Sequence, residues 1–184
     1  AGVDSVATIL PGVDRSRFHP KLRIGVVGRA YHTGRKNEGM VAKLRSLPFV
    51  ELAFTGNGWP ARSTHVDDAA LNDFYNGLDY LLVSAKIEGG PMPLLEALAA
   101  GTPVIAPDVG FVEHFPHVPY ENSSYESLES VIRGLYQKKL DLADSVAGVT
   151  WEAFARSHLE LFASLAKPTA AAVPDVREAQ GLPR

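Results

Sequence analysis

Short apolar runs that favour β-strands alternate along the chain with segments in which apolar residues recur at helical spacing. Short polar stretches join the two kinds of segment, which is typical of a parallel sheet covered by helices on both faces. The pattern therefore predicts an α/β fold, a doubly wound, Rossmann-like parallel sheet of about five or six strands. The predicted strands are Val6–Leu10, Leu22–Val27, Phe49–Phe54, Asp79–Ser84 and Pro103–Ala106.

The predicted helices lie between these strands, and two longer amphipathic ones close the chain. The last of them carries Trp151 and an apolar stripe at Leu159–Phe162. That stripe favours packing in the core or against another domain over contact with a ligand. The helices are expected around Met40–Leu47 and at Ala69–Tyr75, Pro91–Ala100, Tyr125–Lys138 and Trp151–Leu165.

Both ends of the chain lack this periodicity. Residues 11–20, PGVDRSRFHP, carry turn residues, so residues 1–20 are interpreted as an interdomain connection and residues 21–167 as the folded domain. Residues 168–184 combine alanine, proline and charge without an apolar stripe, which predicts a flexible tail. The chain begins AGVDSV, without methionine or a signal-peptide pattern, and this favours an excised fragment or a processed chain.

Composition excludes several classes of function. The net charge of −3 gives no electrostatic case for a nucleic-acid partner. The absence of cysteine excludes disulfides, zinc thiolates and cysteine nucleophiles, and it fits a reducing, cytoplasmic compartment. No run approaches the roughly 20 apolar residues of a membrane span. Any contact with the inner face of a membrane is therefore expected through another domain.

The candidate chemistry lies in Asp79–Gly110, where a strand, a loop and a helix follow one another. The loop holds Gly89 and Gly90, which allow a ligand to approach the backbone closely. Amide groups at a helix start have no intrahelical partner and the helix dipole is positive there, so the site favours phosphate. Two carboxylates, Glu88 and Glu96, would repel phosphate, and they make better sense as acceptors for hydroxyl groups of a ribose and a sugar flanking a diphosphate.

The run EGGPMPLLEALAAGTPVIA, residues 88–106, resembles the Glu-x7-Glu signature of retaining glycosyltransferases such as glycosyltransferase family 4, also called group 1. The chain thus looks like the C-terminal, donor-binding half of their two-domain GT-B fold. The resemblance implies that Glu96 holds the ribose of the nucleotide and that Glu88 holds the donor sugar. The implied nucleotide-sugar-binding residues are Glu96, Gly89, Gly90, Met92, Leu94, Leu95, Gly28 and Gly58.

Other segments carry the same resemblance, which spans about residues 9–162. ILPGVDRSRFHP is similar to the family's interdomain connection, and TWEAFARSHLELF to its closing helix. RIGVVGR followed by GRKNEG resembles the first strand and loop of the donor domain, where an arginine and a lysine bind the diphosphate. Arg29 and Lys36 fill these places, with Arg35 as the alternative to Lys36. The implied catalytic residues are therefore Glu88, Arg29 and Lys36.

The sequence departs from the family pattern in one internal segment. Residues 111–124, FVEHFPHVPYENSS, lack the glycine-rich turn and the apolar strand that often follow in the family. In addition, nothing in the sequence corresponds to the N-terminal, acceptor-binding domain. The resemblance therefore implies a partner domain outside this sequence.

Several other residues have a structural explanation beside a functional one. Tyr31, His32 and Thr33 either line the site or form a polar loop. Gly56–Gly58 with Trp59 form either a turn with a packed indole or a contact to the nucleotide base. A further pair, His114 and His117, has a spacing that suits a metal, but no third ligand accompanies it and no metal site is predicted.

The expected reaction is glycosyl transfer from a nucleoside-diphosphate sugar with retention at the anomeric carbon. No Asp-x-Asp element is evident, which fits a metal-independent transferase. No cofactor is implied, because the nucleotide sugar is the substrate. The alternatives are a module that binds nucleotide sugar without catalysis and a sugar-nucleotide epimerase of the same architecture.

Overall fold

A computed structural model of the chain describes residues 7–31, 33–59 and 62–166. Within the chain, contacts define two compact units. One comprises residues 19–143, and the other comprises residues 1–18 with residues 144–184, as far as these are described. The predicted division into a connection of 1–20, a domain of 21–167 and a tail stays a prediction, and the tail at 168–184 lies outside the described residues.

The unit of residues 19–143 contains a parallel sheet whose described strands number five, in the order β2-β1-β3-β4-β5. Every pairing in it is parallel, with Leu22 opposite Val50 at the start of the first pair. The predicted parallel sheet is therefore confirmed. Its strands are β1 (Leu22–Val27), β2 (Val50–Thr55), β3 (Tyr80–Leu82), β4 (Val104–Ala106) and β5 (Val118–Pro119).

Helices connect these strands, and a last helix lies in the second unit. The helices are α1 (Glu38–Lys43), α2 (Asp68–Asn76), α3 (Met92–Ala99), α4 (Tyr125–Asp144) and α5 (Trp151–Ala166). Single 3-10 turns lie at Arg15–Arg17, Leu44–Ser46 and Val112–His114. None of the helices in the described ranges is both long and apolar enough to span a membrane.

Two apolar cores lie on opposite faces of the sheet, because successive side chains of a strand point to opposite sides. Leu82 and Ile105 belong to one core, whereas their neighbours Leu81 and Val104 belong to the other. The first core is completed by α1 and α4 through Met40, Val41, Leu128 and Ile132, and the second by α2 and α3 through Tyr75, Leu94 and Ala97. The doubly wound, Rossmann-like fold class is confirmed.

The strand order explains where a ligand would bind. The chain places β2 on one side of β1 and then β3 on its other side. Helices that leave neighbouring strands toward opposite faces open a crevice at the carboxyl ends of those strands, and ligands of open α/β sheets bind there. The loops that follow β1 and β3 are therefore the expected walls of a site.

Two sequence predictions about strands are wrong. Residues 7–10 lie in no strand, and Val6 lies outside the described residues, so the strand predicted at Val6–Leu10 is not found. Conversely, the segment predicted to lack a strand contains β5, which pairs with β4 through Val118 opposite Ile105. β5 has two residues, one of them a proline, so its pairing depends on the neighbouring strand and leaves no pattern in the sequence.

The second unit joins the described part of the N-terminal segment to α5 and the turn before it. The amide of Val13 donates to the carbonyl of Val149 at 3.0 Å. A Cβ atom at Gly12 would lie 2.2 Å from the backbone nitrogen of Trp151, so only glycine fits this approach.

No residue of α5 is buried in the described structure, and the apolar stripe of this helix is open to solvent. Trp151 is 53% exposed, and Phe162 is 59% exposed. The expectation that this stripe packs in the core is therefore wrong. Its packing against another domain stays a prediction.

Candidate functional site

Charged side chains from the loops after β1 and β3 meet around one cavity of about 280 Å³. The cavity lies at the carboxyl ends of these strands, where the topology opens a crevice. Of the sequence-predicted residues, Arg29, Lys36 and Glu88 come together here, with both Arg35 and Tyr31 beside them. We call this cavity the cation cleft.

The loop after β1 is held in place by backbone contacts to the end of β2. Gly28 has a φ of +107°, a conformation that favours glycine, and its amide donates to the Thr55 carbonyl at 3.0 Å. No atom lies within 4 Å of the position where its Cβ would be, so the space beside Gly28 is open on that side. The guanidinium of Arg29 lies 5.3 Å from the centroid of the Tyr31 ring, a cation–π contact that orients it at the cleft.

The segment before α1 is fastened to the end of β3. The amide of Lys86 donates to the Arg35 carbonyl at 2.8 Å, and the Ser84 hydroxyl donates to the Lys36 carbonyl at 2.6 Å. The buried side chain of Asn37, a residue in the left-handed conformation, donates to the Ser84 carbonyl at 2.7 Å. These bonds bring Arg35 and Lys36 to the cleft together. Sequence reasoning missed Asn37 and Ser84, although asparagine is one of the few residue types that adopt the left-handed conformation.

The electrostatics of the cleft are dominated by positive charge. The ammonium of Lys36 forms an ion pair with the carboxylate of Glu88, and both side chains are largely buried, at 23% and 19% exposed. Arg29 and Arg35 have no carboxylate partner among the described residues. Two guanidinium groups without a counter-ion suit a ligand with clustered negative oxygens, because charge-assisted hydrogen bonds to phosphate are strong.

The loop that carries Glu88 is packed against the turn after β4. A Cβ at Gly90 would lie 2.1 Å from the Phe111 ring, so Gly90 is required for packing rather than for ligand approach. Space beside Gly89 is open. Gly110, with a φ of +58°, lies so close that its Cβ would meet the carbonyl oxygens of Gly89 and Glu88 at 2.4 and 2.5 Å.

Gly110→Ala is expected to destabilise the protein by about 2–5 kcal/mol. The left-handed conformation contributes roughly 1–2 kcal/mol, and the collision with two carbonyl groups contributes roughly 1–3 kcal/mol. Gly101→Ala is the matched control, because Gly101 shares the left-handed conformation but has no atom within 4 Å of its Cβ position. Denaturant unfolding should show a larger loss for Gly110→Ala, and equal losses would contradict the packing described here.

The start of α3 is less open than the sequence suggested. The amide of Leu94 already donates to the Pro91 carbonyl at 2.9 Å, so phosphate binding through this amide would replace that bond. The side chain of Leu94 is fully buried and Leu95 packs against the same core. Met92 is 58% exposed at the first turn. The binding roles of these three residues stay predictions that would use their backbone.

Glu96 does not line the cation cleft. It lies in a second cavity of about 260 Å³, lined by α2 and α3 through Asp68, Leu71, Asn72, Tyr75, Glu96, Ala99 and Ala100. We call this cavity the helix groove. The Tyr75 hydroxyl donates to Glu96 Oε2 at 2.6 Å. Burial raises the pKa of Tyr75, and the hydrogen bond and charge of Glu96 raise it further, so Tyr75 stays a neutral donor.

The turn after β2 is occupied by packing contacts. The Trp59 side chain is buried, lies 5.7 Å from the Phe54 ring and donates to the Gly28 carbonyl at 2.9 Å. The cavity that it lines has about 20 Å³, close to the room needed by one water. A Cβ at Gly58 would lie 2.1 Å from the Ala30 carbonyl oxygen. The packing alternative is therefore confirmed for Trp59, and a ligand contact by Gly58 stays a prediction.

The other polar candidates are Thr33, His32 and the histidine pair. Thr33 is exposed, and His32 lies outside the described residues. The two ring nitrogens of His117 lie 2.9 Å from the Phe115 carbonyl oxygen and 3.0 Å from Asp108 Oδ1. Within the described ranges no three residues of the types His, Cys, Asp and Glu form a group that could hold a metal. Metal independence stays a prediction.

One segment of the chain and its fold are similar to known proteins. Residues 63–117 match the family model described as glycosyl transferases group 1. Over 94 residues the chain is 34% identical to a D-inositol 3-phosphate glycosyltransferase from Segniliparus rotundus, across 51% of this chain and 19% of that protein.

Two solved structures share the fold. Sucrose-phosphate synthase from Thermosynechococcus elongatus aligns with a TM-score of 0.55 at 20% identity, across 84% of this chain and 51% of that one. The C-terminal domain of a glycosyl transferase group 1 family protein from Francisella tularensis aligns with a TM-score of 0.54 at 18% identity, across 82% of this chain and 95% of that domain.

The matched segment is similar to group 1 glycosyltransferases, and the fold is similar to the solved structures of that class. The predicted resemblance to group 1 glycosyltransferases is confirmed at this level, whereas family 4 and retention stay predictions. The chain resembles the C-terminal half of the GT-B fold. It spans about a fifth of the length of the curated relatives that it matches, 19% and 17%.

Proposed function

We propose that this chain is the donor-binding half of a glycosyltransferase that uses a nucleoside-diphosphate sugar. The observation that carries the proposal is the cation cleft, in which Arg29, Arg35, Lys36 and Glu88 surround one cavity at the carboxyl ends of β1 and β3. Two guanidinium groups that have no carboxylate partner within the described ranges match a diphosphate, and the carboxylate beside them matches the hydroxyl groups of an attached sugar.

The cations would act on the departing diphosphate. As the bond between the anomeric carbon and the phosphate oxygen breaks, negative charge grows on that oxygen. Fixed positive groups that face this charge stabilise the transition state more than the ground state. Arg29 and Arg35 are free to do so, whereas Lys36 is already paired with Glu88. We therefore assign the main contacts with the diphosphate to the two arginines and propose that Lys36 orients Glu88.

Glu88 would orient the donor sugar. Its carboxylate is held by Lys36 at the edge of the cleft, beside the open backbone of Gly89. A fixed carboxylate accepts hydrogen bonds from sugar hydroxyls and sets the position of the anomeric carbon. Glu96, in the helix groove, would accept from the ribose.

Retention and metal independence are part of the proposal. The carboxylate of Glu88 is engaged by Lys36, so a front-face route is preferred over a covalent intermediate on this side chain. In that route the acceptor oxygen bonds to the anomeric carbon on the face that the diphosphate leaves, and the acceptor proton passes to the leaving phosphate oxygen. The arginines supply the positive charge that a metal would otherwise supply.

A second domain would bind the acceptor. This chain covers 51% of sucrose-phosphate synthase and 95% of the C-terminal domain from Francisella tularensis, which supports an assignment to one half of a two-domain enzyme. Closure of two domains over the cleft would exclude water from the donor. We place the enzyme in the cytoplasm, in line with the absence of cysteine from this sequence.

Titration of this chain with nucleotides tests the donor assignment. Thermal unfolding with uridine, guanosine and adenosine diphosphates should show stabilisation by at least one of them, of about 2.7 kcal/mol at a hundredfold excess over its dissociation constant. The matching monophosphate and nucleoside are controls, and they should stabilise the protein much less because they lack the second phosphate. Equal stabilisation by mono- and diphosphate would contradict the role of the cation cleft, and no stabilisation by any of them would contradict the proposed function.

A further inference from the structure

The helix groove contains the carboxylate of Glu96, which has one oxygen hydrogen-bonded by the protein and the other accessible from the groove. Glu96 Oε2 accepts from the Tyr75 hydroxyl at 2.6 Å. Among the described residues, no group donates to the other oxygen, Oε1, although Glu96 is only half-buried and lines the groove. One oxygen of Glu96 is thus fixed by the protein, and the other is available to a ligand.

Tyr75 itself is held in place by packing of its side chain and by a hydrogen bond to its carbonyl. Its side chain is 1% exposed and packs in the core between α2 and α3. Its carbonyl accepts from the Thr102 hydroxyl at 2.8 Å, and the Thr102 amide donates to the Ala97 carbonyl at 2.8 Å. These bonds tie the end of α2 to the end of α3, so the Tyr75 hydroxyl has a set position relative to Glu96.

We propose that Tyr75 is a positioning residue, which aims the free oxygen of Glu96 at a ribose hydroxyl and so lets the site distinguish ribonucleotides from deoxyribonucleotides. The inference rests on the proposed function, because it takes the ligand of the helix groove to be the ribose of a nucleoside diphosphate. A carboxylate that can rotate would form this hydrogen bond in only some of its conformations. A carboxylate held in the right orientation therefore increases the affinity for the ribonucleotide more, and the affinity falls further when the hydroxyl is absent.

The chemistry of the groove fits this role. Tyr75 remains a hydroxyl donor, because burial and the neighbouring carboxylate raise its pKa. The other groove residues include Asp68 and Asn72, whose side chains offer further acceptors and donors for a diol. A hydrogen bond to a charged acceptor changes affinity by roughly 10- to 100-fold.

The test is the ratio of dissociation constants for a deoxynucleotide and its ribonucleotide. For the nucleoside diphosphate that binds best, calorimetry on this chain should show that the 2′-deoxy or the 3′-deoxy analogue binds the wild type about tenfold or more weakly. In Tyr75→Phe the ribonucleotide should bind about tenfold more weakly, the deoxy analogue should be nearly unchanged, and the ratio should approach one. Loss of general structure would weaken both nucleotides equally and leave the ratio unchanged.

Tyr120→Phe is the matched control, because it also removes a buried hydroxyl, one that donates to the Val83 carbonyl in the same unit. Its ratio should equal that of the wild type. If Tyr75→Phe unfolds, Thr102→Val provides the second variant, since it releases the Tyr75 carbonyl and should lower the ratio as well.

Glu96→Gln completes a double-mutant cycle, in which Tyr75→Phe should produce no further change of the ratio. The inference would be overturned if the wild type distinguished the two nucleotides and Tyr75→Phe distinguished them equally well. That result would leave the proposed function intact. A wild type that binds no nucleoside diphosphate would overturn both.

Discussion

Replacing both Arg29 and Arg35 with glutamine is expected to weaken nucleoside-diphosphate binding by roughly a hundredfold or more. Each guanidinium lines the cation cleft without a carboxylate partner in the described part of the chain. A hydrogen bond between charged groups contributes about 1.5–3 kcal/mol, so the loss of two such contacts weakens binding by about 3–6 kcal/mol. Calorimetric titration of this chain measures the change directly.

The single variants separate Arg35 from Lys36, which the sequence left as alternatives. Arg35→Gln should weaken binding by about tenfold or more, because an unpaired cation is lost. Lys36→Gln should weaken it less, because Glu88 already neutralises that ammonium. Arg133→Gln is the control: it removes the same charge from α4, where Arg133 pairs with Glu129, and should leave the affinity unchanged. A larger effect of Lys36→Gln than of Arg35→Gln would contradict the assignment of the two cations.

Glu88→Gln is expected to lower the rate of glycosyl transfer by roughly a hundredfold or more while leaving nucleoside-diphosphate affinity equal or higher. The rate falls because the sugar loses the acceptor that positions its anomeric carbon, and small misplacements reduce rates by about a hundredfold. The affinity does not fall because the variant removes a negative charge near the phosphates and releases Lys36.

The transfer rate is measured on the enzyme with its acceptor-binding domain, and the affinity on the same protein. Glu113→Gln is a suitable control, since it removes an exposed carboxylate from the 3-10 turn after β4 and should change neither quantity. Parallel losses of rate and affinity in Glu88→Gln would contradict a role in orienting the sugar.

The sequence predicted those parts of the fold that depend on local patterns. β1 begins and ends where its apolar run does, because nearly every position in it is buried on one face or the other. α3 also lies within one residue of its predicted ends, because proline and glycine mark both of its termini. β5 escaped prediction because two residues carry no period, and their strand character comes from the pairing with β4.

The sequence indicated which residue types could form the candidate site, but it did not indicate how their side chains are arranged. A glutamate spacing identified Glu88 and Glu96, but the side chains enter separate cavities. Glu96 is bonded by Tyr75 of α2 and Glu88 by Lys36 before α1, and the positions of these partners depend on how distant segments pack on the sheet. No local pattern contains that information. The hydrogen bonds made by Asn37 and Ser84 were missed for the same reason, since the bonded residues lie 47 or more positions apart in the chain.

A crystal structure of this chain with its preferred nucleoside diphosphate would locate the diphosphate and the ribose. We expect phosphate oxygens within about 2.7–3.2 Å of guanidinium nitrogens of Arg29 and Arg35. We also expect a ribose hydroxyl to donate to the free oxygen of Glu96. The proposal would be contradicted if the nucleotide bound with its phosphates away from the cation cleft and left both arginines in solvent.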